Sequence, residues 1–460
     1  MFSVETYVKR RKELKKQVQS GIILLMGNEE SPMNYADNPF HFRQDSTFLY
    51  YFGLDFAGLA AVIDVDEDKE VIFGNELTID DIVWMGTQPT LKEKSQSVGV
   101  SHTAPAGDLP GVLSTASSRG RKIHFLPPYR PENKIKLFKW LGHYPGELEK
   151  LASVELIKAI VAQRAIKSNE EIEEIEKAVN ITVDMHVAAM KMPRPGMKEA
   201  EMAAEVQRIA VAAGGQVAFP IILTINGQTL HNHYHGNTLK RGDMVLCDCG
   251  AETALHYGGD LSSTFPVDPV FTPRQKEIYE ISLAAHEAAV TALSPGIKNK
   301  DIHLLACKTI AEGLKSIGLM KGNIEDAVAQ GAHAMFFPCG TGHMMGLDIH
   351  DMEDLGEQYV GYAGETRSTQ FGLKSLRLAR ALEPGFVITI EPGIYFIPEL
   401  IDLWRAEKKF TDFIHYDKLE TYKDFGGIRN EENFLITADG YRRLGKPKPK
   451  TIEEVEALRK

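Results

Sequence analysis

Cysteine is scarce. Cys247, Cys249, Cys307 and Cys339 are the four thiols of 460 residues, and no two are spaced as Cys-x-x-Cys. That excludes a disulfide framework and fits free thiols in a reducing compartment. Long apolar runs are missing too. The first, residues 22–26, is too short for a signal-peptide core or a membrane span, so a cytoplasmic location is expected. Basic charge is in deficit: the formal net charge of −11 argues against a nucleic-acid binder, which carries a basic face. There is no G-x-S-x-G elbow, no P-loop and no H-E-x-x-H helix. The glycines at 340 and 342 do not extend to a dinucleotide fingerprint, because Met345 stands where the third glycine belongs. No tandem repeat or low-complexity tract occurs.

What is present is a soluble globular composition, 43% hydrophobic and 25% charged. At about 100–200 residues per domain, the chain has room for two or three domains. Residues 4–19 read as a basic amphipathic helix. GIILLM (21–26), FLYYFG (48–53), LAAVIDV (59–65), EVIFG (70–74) and KIHFLP (122–127) read as strands, which outlines a small α/β domain over residues 1–160. Beyond it, apolar residues at 172, 175, 179, 183 and 187 have helical spacing, and Ser168 with Glu171 forms a capping box at the start. A second helix over 197–213 is stopped by Gly214 and Gly215. The segments MVLCDCG, DLSSTFPV, FVITIEPG and NFLIT read as strands of a larger domain over 161–460, with helices near 273–293 and 299–318. KPKPK (446–450) reads as a solvated tail.

The informative anomaly is acid inside strands that should be apolar. Asp248 interrupts MVLCDCG. Strand alternation puts it on one face and Cys247 and Cys249 on the other. Asp260 heads DLSSTFPV twelve residues later, so a hairpin would bring the two carboxylates together. Close carboxylates repel and resist desolvation unless a cation or a shared proton compensates them. Glu391 closes FVITI, Glu431 lies in GGIRNEENFLIT, and His343 sits among glycines in CGTGHMMGLDIHD. Two Asp, two Glu and one His make a hard, oxygen-rich ligand set. It favours two divalent ions, Mn²⁺ first, with Zn²⁺ or Co²⁺ as alternatives. Two ions about 3.5–4 Å apart can hold and activate a bridging water.

This ordered series, over residues 164–441, resembles the pita-bread metallopeptidases, a family that includes aminopeptidase P and prolidase. The resemblance implies a two-domain α/β chain: a small N-terminal α/β domain and a C-terminal α+β pita-bread domain with a curved antiparallel sheet. It implies that Asp248, Asp260, His343, Glu391 and Glu431 ligate the metals, with Asp260 and Glu431 bridging and Glu391 also acting as general base. By the same resemblance His350 (in GLDIHD) meets the substrate and stabilises the tetrahedral intermediate, and His231 (in GQTLHNHYHGN) is the histidine upstream of the first Asp. NPFHFRQDSTFLYYFGLDFAG (38–58) resembles the N-terminal domain of aminopeptidase P and prolidase, and DDIVWMGTQP (80–89) its tryptophan-containing strand and loop.

Xaa-Pro aminopeptidase activity on peptides with proline second is therefore expected, with Xaa-Pro dipeptidase as the alternative and an inactive metal-binding interaction module as the reading of another class. Arg429, beside Glu431, and Arg380, in RALEPG, are candidates to hold a substrate carboxylate. A homodimer or higher homo-oligomer is expected on general grounds. Three departures from the family stand out: Cys339 replaces a histidine, the spacing from Asp248 to Asp260 is one residue long, and residues 400–426 look inserted. That insertion reads as a flap, an oligomer contact or a surface loop.

Overall fold

The computed structural model describes residues 1–459. The chain forms two units: Met1–Arg164 with the excursion Asp354–Tyr359, and Ala165–Glu353 with Val360–Lys460.

The first unit is built on a mixed five-stranded sheet. Its strands are β1 (Ile22–Met26), β2 (Ala60–Asp64), β3 (Lys69–Gly74), β4 (His102–Pro105) and β5 (Ile123–His124), in the order β4-β3-β2-β1-β5. The two central pairings are antiparallel and the outer two parallel. The basic helix Val4–Val18 is less solvated than its composition suggests. Arg11 is fully buried, its guanidinium donating to Glu70 and to the carbonyls of Tyr51 and Val98.

Two local expectations fail here. FLYYFG is a helix, Ser46–Phe52, not a strand. All seven of its residues are buried, so no amphipathic period marks it, and its aromatics mimic strand composition. Its caps decide the matter: Asp45 accepts from the Phe48 N–H, and Gly53 closes the end at φ 61°. DDIVWM likewise lies in a helix, Ile79–Met85, started by a reciprocal Thr78–Asp81 capping box, and Trp84 stands 86% exposed on it.

In the second unit every ladder is antiparallel. Its strands are β6 (Gln216–Val217), β7 (Ile222–Thr224), β8 (Met244–Cys249), β9 (Ala251–Glu252), β10 (Leu261–Pro266), β11 (Val387–Ile390), β12 (Gly393–Tyr395), β13 (Gly427–Arg429), β14 (Glu432–Ile436) and β15 (Tyr441–Arg443). They pair as β10-β8-β7, β11-β14-β15, β12-β13 and β6-β9. Helices Asn169–Lys191, Glu199–Ala212, Pro273–Thr291 and Asn299–Ser316 pack against these sheets, the first starting at the expected Ser168–Glu171 box. Gly259 lets strand and helix meet: a Cβ there would lie 2.6 Å from the Val179 nitrogen.

The KPKPK segment is not a solvated tail. Lys448 is buried, donating to the Ser262 carbonyl and, at 2.9 Å, to Ser263 Oγ; Lys450 pairs with Glu432 at 2.9 Å. The segment returns under β10, a long-range placement that local polarity cannot report. The insertion at 400–426 is also not a loose loop, since Ile401, Trp404, Ile414 and Leu419 are buried in the hydrophobic core.

Four imidazoles in this unit, His186, His286, His303 and His333, are fully buried. Burial pushes the first three down to about 3 and His333 to about 4. The unfolded chain protonates these rings near pH 6.5 and the folded chain does not, so stability falls as pH drops from 6.5 towards 4. At pH 5 each ring costs about 2 kcal/mol. In urea unfolding of the metal-free chain, His286→Gln should gain stability relative to the wild type as pH falls from 7 to 5, by about 2 kcal/mol at pH 5; a difference between the two that does not change with pH would contradict it.

Candidate metal centre

Strand geometry delivers the acids. On β8, Cys247 and Cys249 enter the core while Asp248 points to a cavity of about 620 Å³. The path to Asp260 is the longer turn expected near Leu255: His256 adopts φ 65° beside it. Asp260 is then locked against β14, where Asn433 Oδ1 accepts from its N–H at 3.1 Å and Asn433 Nδ2 donates to its carbonyl at 2.6 Å. Glu391 follows β11 and donates its N–H to the Thr341 carbonyl at 2.7 Å. Glu431 lies between β13 and β14, its N–H on the Ser262 carbonyl at 3.1 Å. The glycines around His343 do what close backbone approach requires: a Cβ on Gly342 would lie 2.1 Å from the Thr389 carbonyl oxygen.

All five expected ligands line this one cavity. His343 Nδ1 donates to the Met344 carbonyl at 3.0 Å, which leaves the Nε2 lone pair pointing inward. That lone pair lies 3.5 Å from Asp260 Oδ2 and 3.4 Å from Glu391 Oε1. These atoms need a proton or a cation between them. Ligand atoms of Asp260, His343 and Glu431 all fall within 4.8 Å of one another, and buried Asp260 Oδ1 has no hydrogen-bond partner. Burial first, then the Asp248 and Glu391 charges, raises the proton affinity of Asp260 far above the usual carboxylate range. Glu431 is raised in the same way, by burial and then by Asp260, and Glu391 chiefly by burial. Such a cluster either keeps protons or takes cations. The orphaned oxygen and the inward imidazole lone pair fit hard divalent ions.

One native cation already serves the cluster. Buried Arg429 donates to Asp248, to Ser262 Oγ at 2.9 Å and to the Tyr395 hydroxyl at 2.8 Å; the Ser262 hydroxyl donates in turn to Glu431 Oε2 at 2.7 Å. Arg429 therefore grips a candidate ligand rather than being free for a substrate carboxylate.

His350 lines the cavity with its ring edge-on to His343, centroids 4.4 Å apart. Burial, then the His343 ring, holds it down to about 4. The Glu353 carboxylate, held down to about 2 chiefly by that hydrogen bond, accepts from His350 Nδ1 at 2.6 Å and from Arg377 Nε at 3.4 Å. Neutral His350 therefore presents an accepting Nε2 to the cavity, not the donor that oxyanion stabilisation implied. His231 lines the cavity from an exposed loop.

Arg380 is not among the lining residues: it pairs with Glu383 and lies over the Phe386 ring at 5.1 Å. Arg377, three residues earlier in SLRLAR, faces the cavity instead, and nothing in that short motif separates the two. Cys339 also lines it, its thiol pushed up to about 12 by burial and then by the Glu391 charge. Phe371, on the wall, is backed edge-on by Trp404 of the insertion at 5.8 Å, so the insertion buttresses the cavity.

Comparison with known proteins agrees with this geometry. Residues 173–438 match the family model "Metallopeptidase family M24", and residues 7–124 match "Aminopeptidase P, N-terminal domain". An Xaa-Pro dipeptidase of Rattus norvegicus is 32% identical, the match covering 96% of this chain and 89% of that protein. A probable Xaa-Pro aminopeptidase of Metarhizium robertsii is 30% identical over 93% of this chain and 88% of its own. The solved aminopeptidase PepP of Pseudomonas aeruginosa superposes with a TM-score of 0.82 at 27% identity, over 100% of this chain and 98% of that one. Zinc-substituted Escherichia coli aminopeptidase P in complex with product gives the same score, identity and coverage. The chain therefore belongs to metallopeptidase family M24, a divalent-metal peptidase of the pita-bread fold carrying an aminopeptidase P type of N-terminal domain.

Proposed function

We propose that this protein removes the N-terminal residue from peptides with proline in second position, as a cytoplasmic homo-oligomer using two divalent ions, Mn²⁺ first. The observation that supports it is the convergence of four carboxylates and the inward Nε2 of His343 on one cavity, in a chain whose relatives carry Xaa-Pro activities. Asp248, Asp260, His343, Glu391 and Glu431 would hold the ions. When bound, the ion pair supplies Lewis acidity and an acidified water at neutral pH.

The residues supply the rest. Glu391, whose proton affinity burial raises, takes the proton of the attacking water and passes it to the proline nitrogen as the amide bond breaks. Asp248, fixed by Arg429, receives the free N-terminal amine, which limits cleavage to the first residue. His350 becomes a donor only by taking up a proton from solvent water as negative charge grows on the carbonyl oxygen, returning it when the product leaves, and Glu353 steadies the imidazolium meanwhile. His231 and Phe371 bound the space for the proline ring.

The dipeptidase reading has an observation of its own. Arg377 lines the cavity with its guanidinium beside Glu353, placed to meet the terminal carboxylate of an Xaa-Pro dipeptide.

Metal-stripped protein should cut Ala-Pro-Ala only once Mn²⁺ is restored, and Asp260→Ala should lose both ion binding and turnover. Cleavage confined to Gly-Pro and Ala-Pro would select the dipeptidase, and no cleavage with any divalent ion would remove the proline-peptidase reading. In Arg377→Met, kcat/KM should drop about tenfold or more for Ala-Pro while Ala-Pro-Ala changes little; equal losses count against the carboxylate clamp. Arg429→Met should weaken Mn²⁺ binding by about 10–100-fold in calorimetric titration, and unchanged affinity would remove its role in holding Asp248.

A further inference from the structure

Behind the catalytic cavity lies a second convergence of ligand atoms that the peptidase reaction does not use. His303 and Cys307 sit one turn apart on helix Asn299–Ser316, and His333 on the 3₁₀ turn Ala332–Met335. One ligand atom from each falls within 4.8 Å of the others, and all three side chains are fully buried. His303 Nε2 lies 3.4 Å from Cys307 Sγ. The rings of His303 and His333 are edge-on, centroids 6.4 Å apart at 74°, and Phe337 walls the His303 side at 5.4 Å. Neither ring nitrogen of His333 makes a hydrogen bond, an unusual state for a fully buried imidazole. The Val328 carbonyl is near enough to act on that ring electrostatically but is outside hydrogen-bond geometry.

The outer contacts match those of a metal-binding histidine. His303 Nδ1 is 2.8 Å from Thr341 Oγ1, a hydroxyl able to accept from Nδ1–H and so leave Nε2 for a metal. Thiolate and imidazole together select soft or borderline ions, copper(I) and zinc(II) above all. Charge decides between these. One thiolate and two neutral imidazoles with a monovalent ion give a neutral site, whereas a divalent ion leaves a net positive charge in a dry, apolar pocket. We propose that His303, Cys307 and His333 form a binding site for a single copper(I) ion, separate from the divalent centre.

Binding exchanges one proton for one metal: the Cys307 S–H bond breaks, an S–Cu bond forms, H⁺ leaves, and no electron is transferred. The affinity should therefore rise about tenfold per pH unit between pH 6 and 8, the slope of a single released proton. The site also adjoins the divalent centre, because the Thr341 hydroxyl contacts His303 Nδ1 and the Thr341 carbonyl accepts from the Glu391 N–H.

The test is anaerobic titration of the full chain with copper(I) against a chromophoric copper(I) chelator, with copper K-edge absorption on the loaded wild type. One equivalent with one sulfur and two imidazole nitrogens is expected. Cys307→Ser and His333→Ala should each weaken binding by about a hundredfold or more, while Cys249→Ser and Cys339→Ser leave it unchanged. No uptake would overturn the proposal. So would two sulfurs around the metal, which would place the ion on a thiol pair, either Cys247 with Cys249 beside His186 or Cys307 with the nearby Cys339. Copper binding that survives Cys307→Ser would overturn it as well. The absorption measurement uses unaltered protein, so it stands even where a core variant fails to fold.

Discussion

The grip of one buried guanidinium on two acidic strands underlies the architecture of the site. Arg429 binds Asp248 directly and Glu431 through the Ser262 hydroxyl, so β8, β10 and β13 meet around a single positive charge. An unpaired carboxylate in a dry interior costs several kcal/mol or takes up a proton. Arg429 lowers that cost for Asp248 and Glu431 but leaves Asp260 Oδ1 without a partner. The remaining deficit of positive charge is what makes the cavity a place for cations. The same element holds the strands in register: Thr264 Oγ1 both accepts from the Arg429 N–H and donates to its carbonyl.

Around this centre, burial acts on each group according to its charge. It raises the proton affinity of Asp260, Glu391 and Glu431, which suits a base that must take a proton from water. It lowers that of His350, whose only donor is already committed to Glu353. His350 is therefore a group that responds to charge developing nearby, rather than a fixed positive charge that would hold substrate and transition state alike. Lys448 completes the picture from behind. Burial pushes it down to about 8, and it fastens the C-terminal segment to the backbone of β10, two residues past Asp260.

How much of this could be read from the chain depended on how local the physics was. Acid in an apolar strand is a local contradiction, so Asp248 and Glu391 were visible, as was the helix start at Ser168 through its own capping box. FLYYFG misled because a helix buried on every side has no period to detect. KPKPK misled because its partners, Ser262, Ser263 and Glu432, lie far away in sequence. The insertion looked peripheral for the same reason: Trp404 meets the cavity wall through Phe371, a residue remote in sequence.

By itself, the sequence determined the chemical character of the centre, a hard oxygen-rich donor set with one imidazole, since residue type sets donor hardness and strand alternation separates Asp248 from the flanking thiols. It also determined the family, through the order and spacing of those donors. Only the tertiary structure decided which arginine faces the cavity, which one is spent on Asp248, which way His350 points its lone pair, and that His333 reaches His303 and Cys307. Those outcomes turn on contacts between residues distant in sequence, where a fraction of a turn or one hydrogen bond changes what a side chain meets, and no local pattern records them.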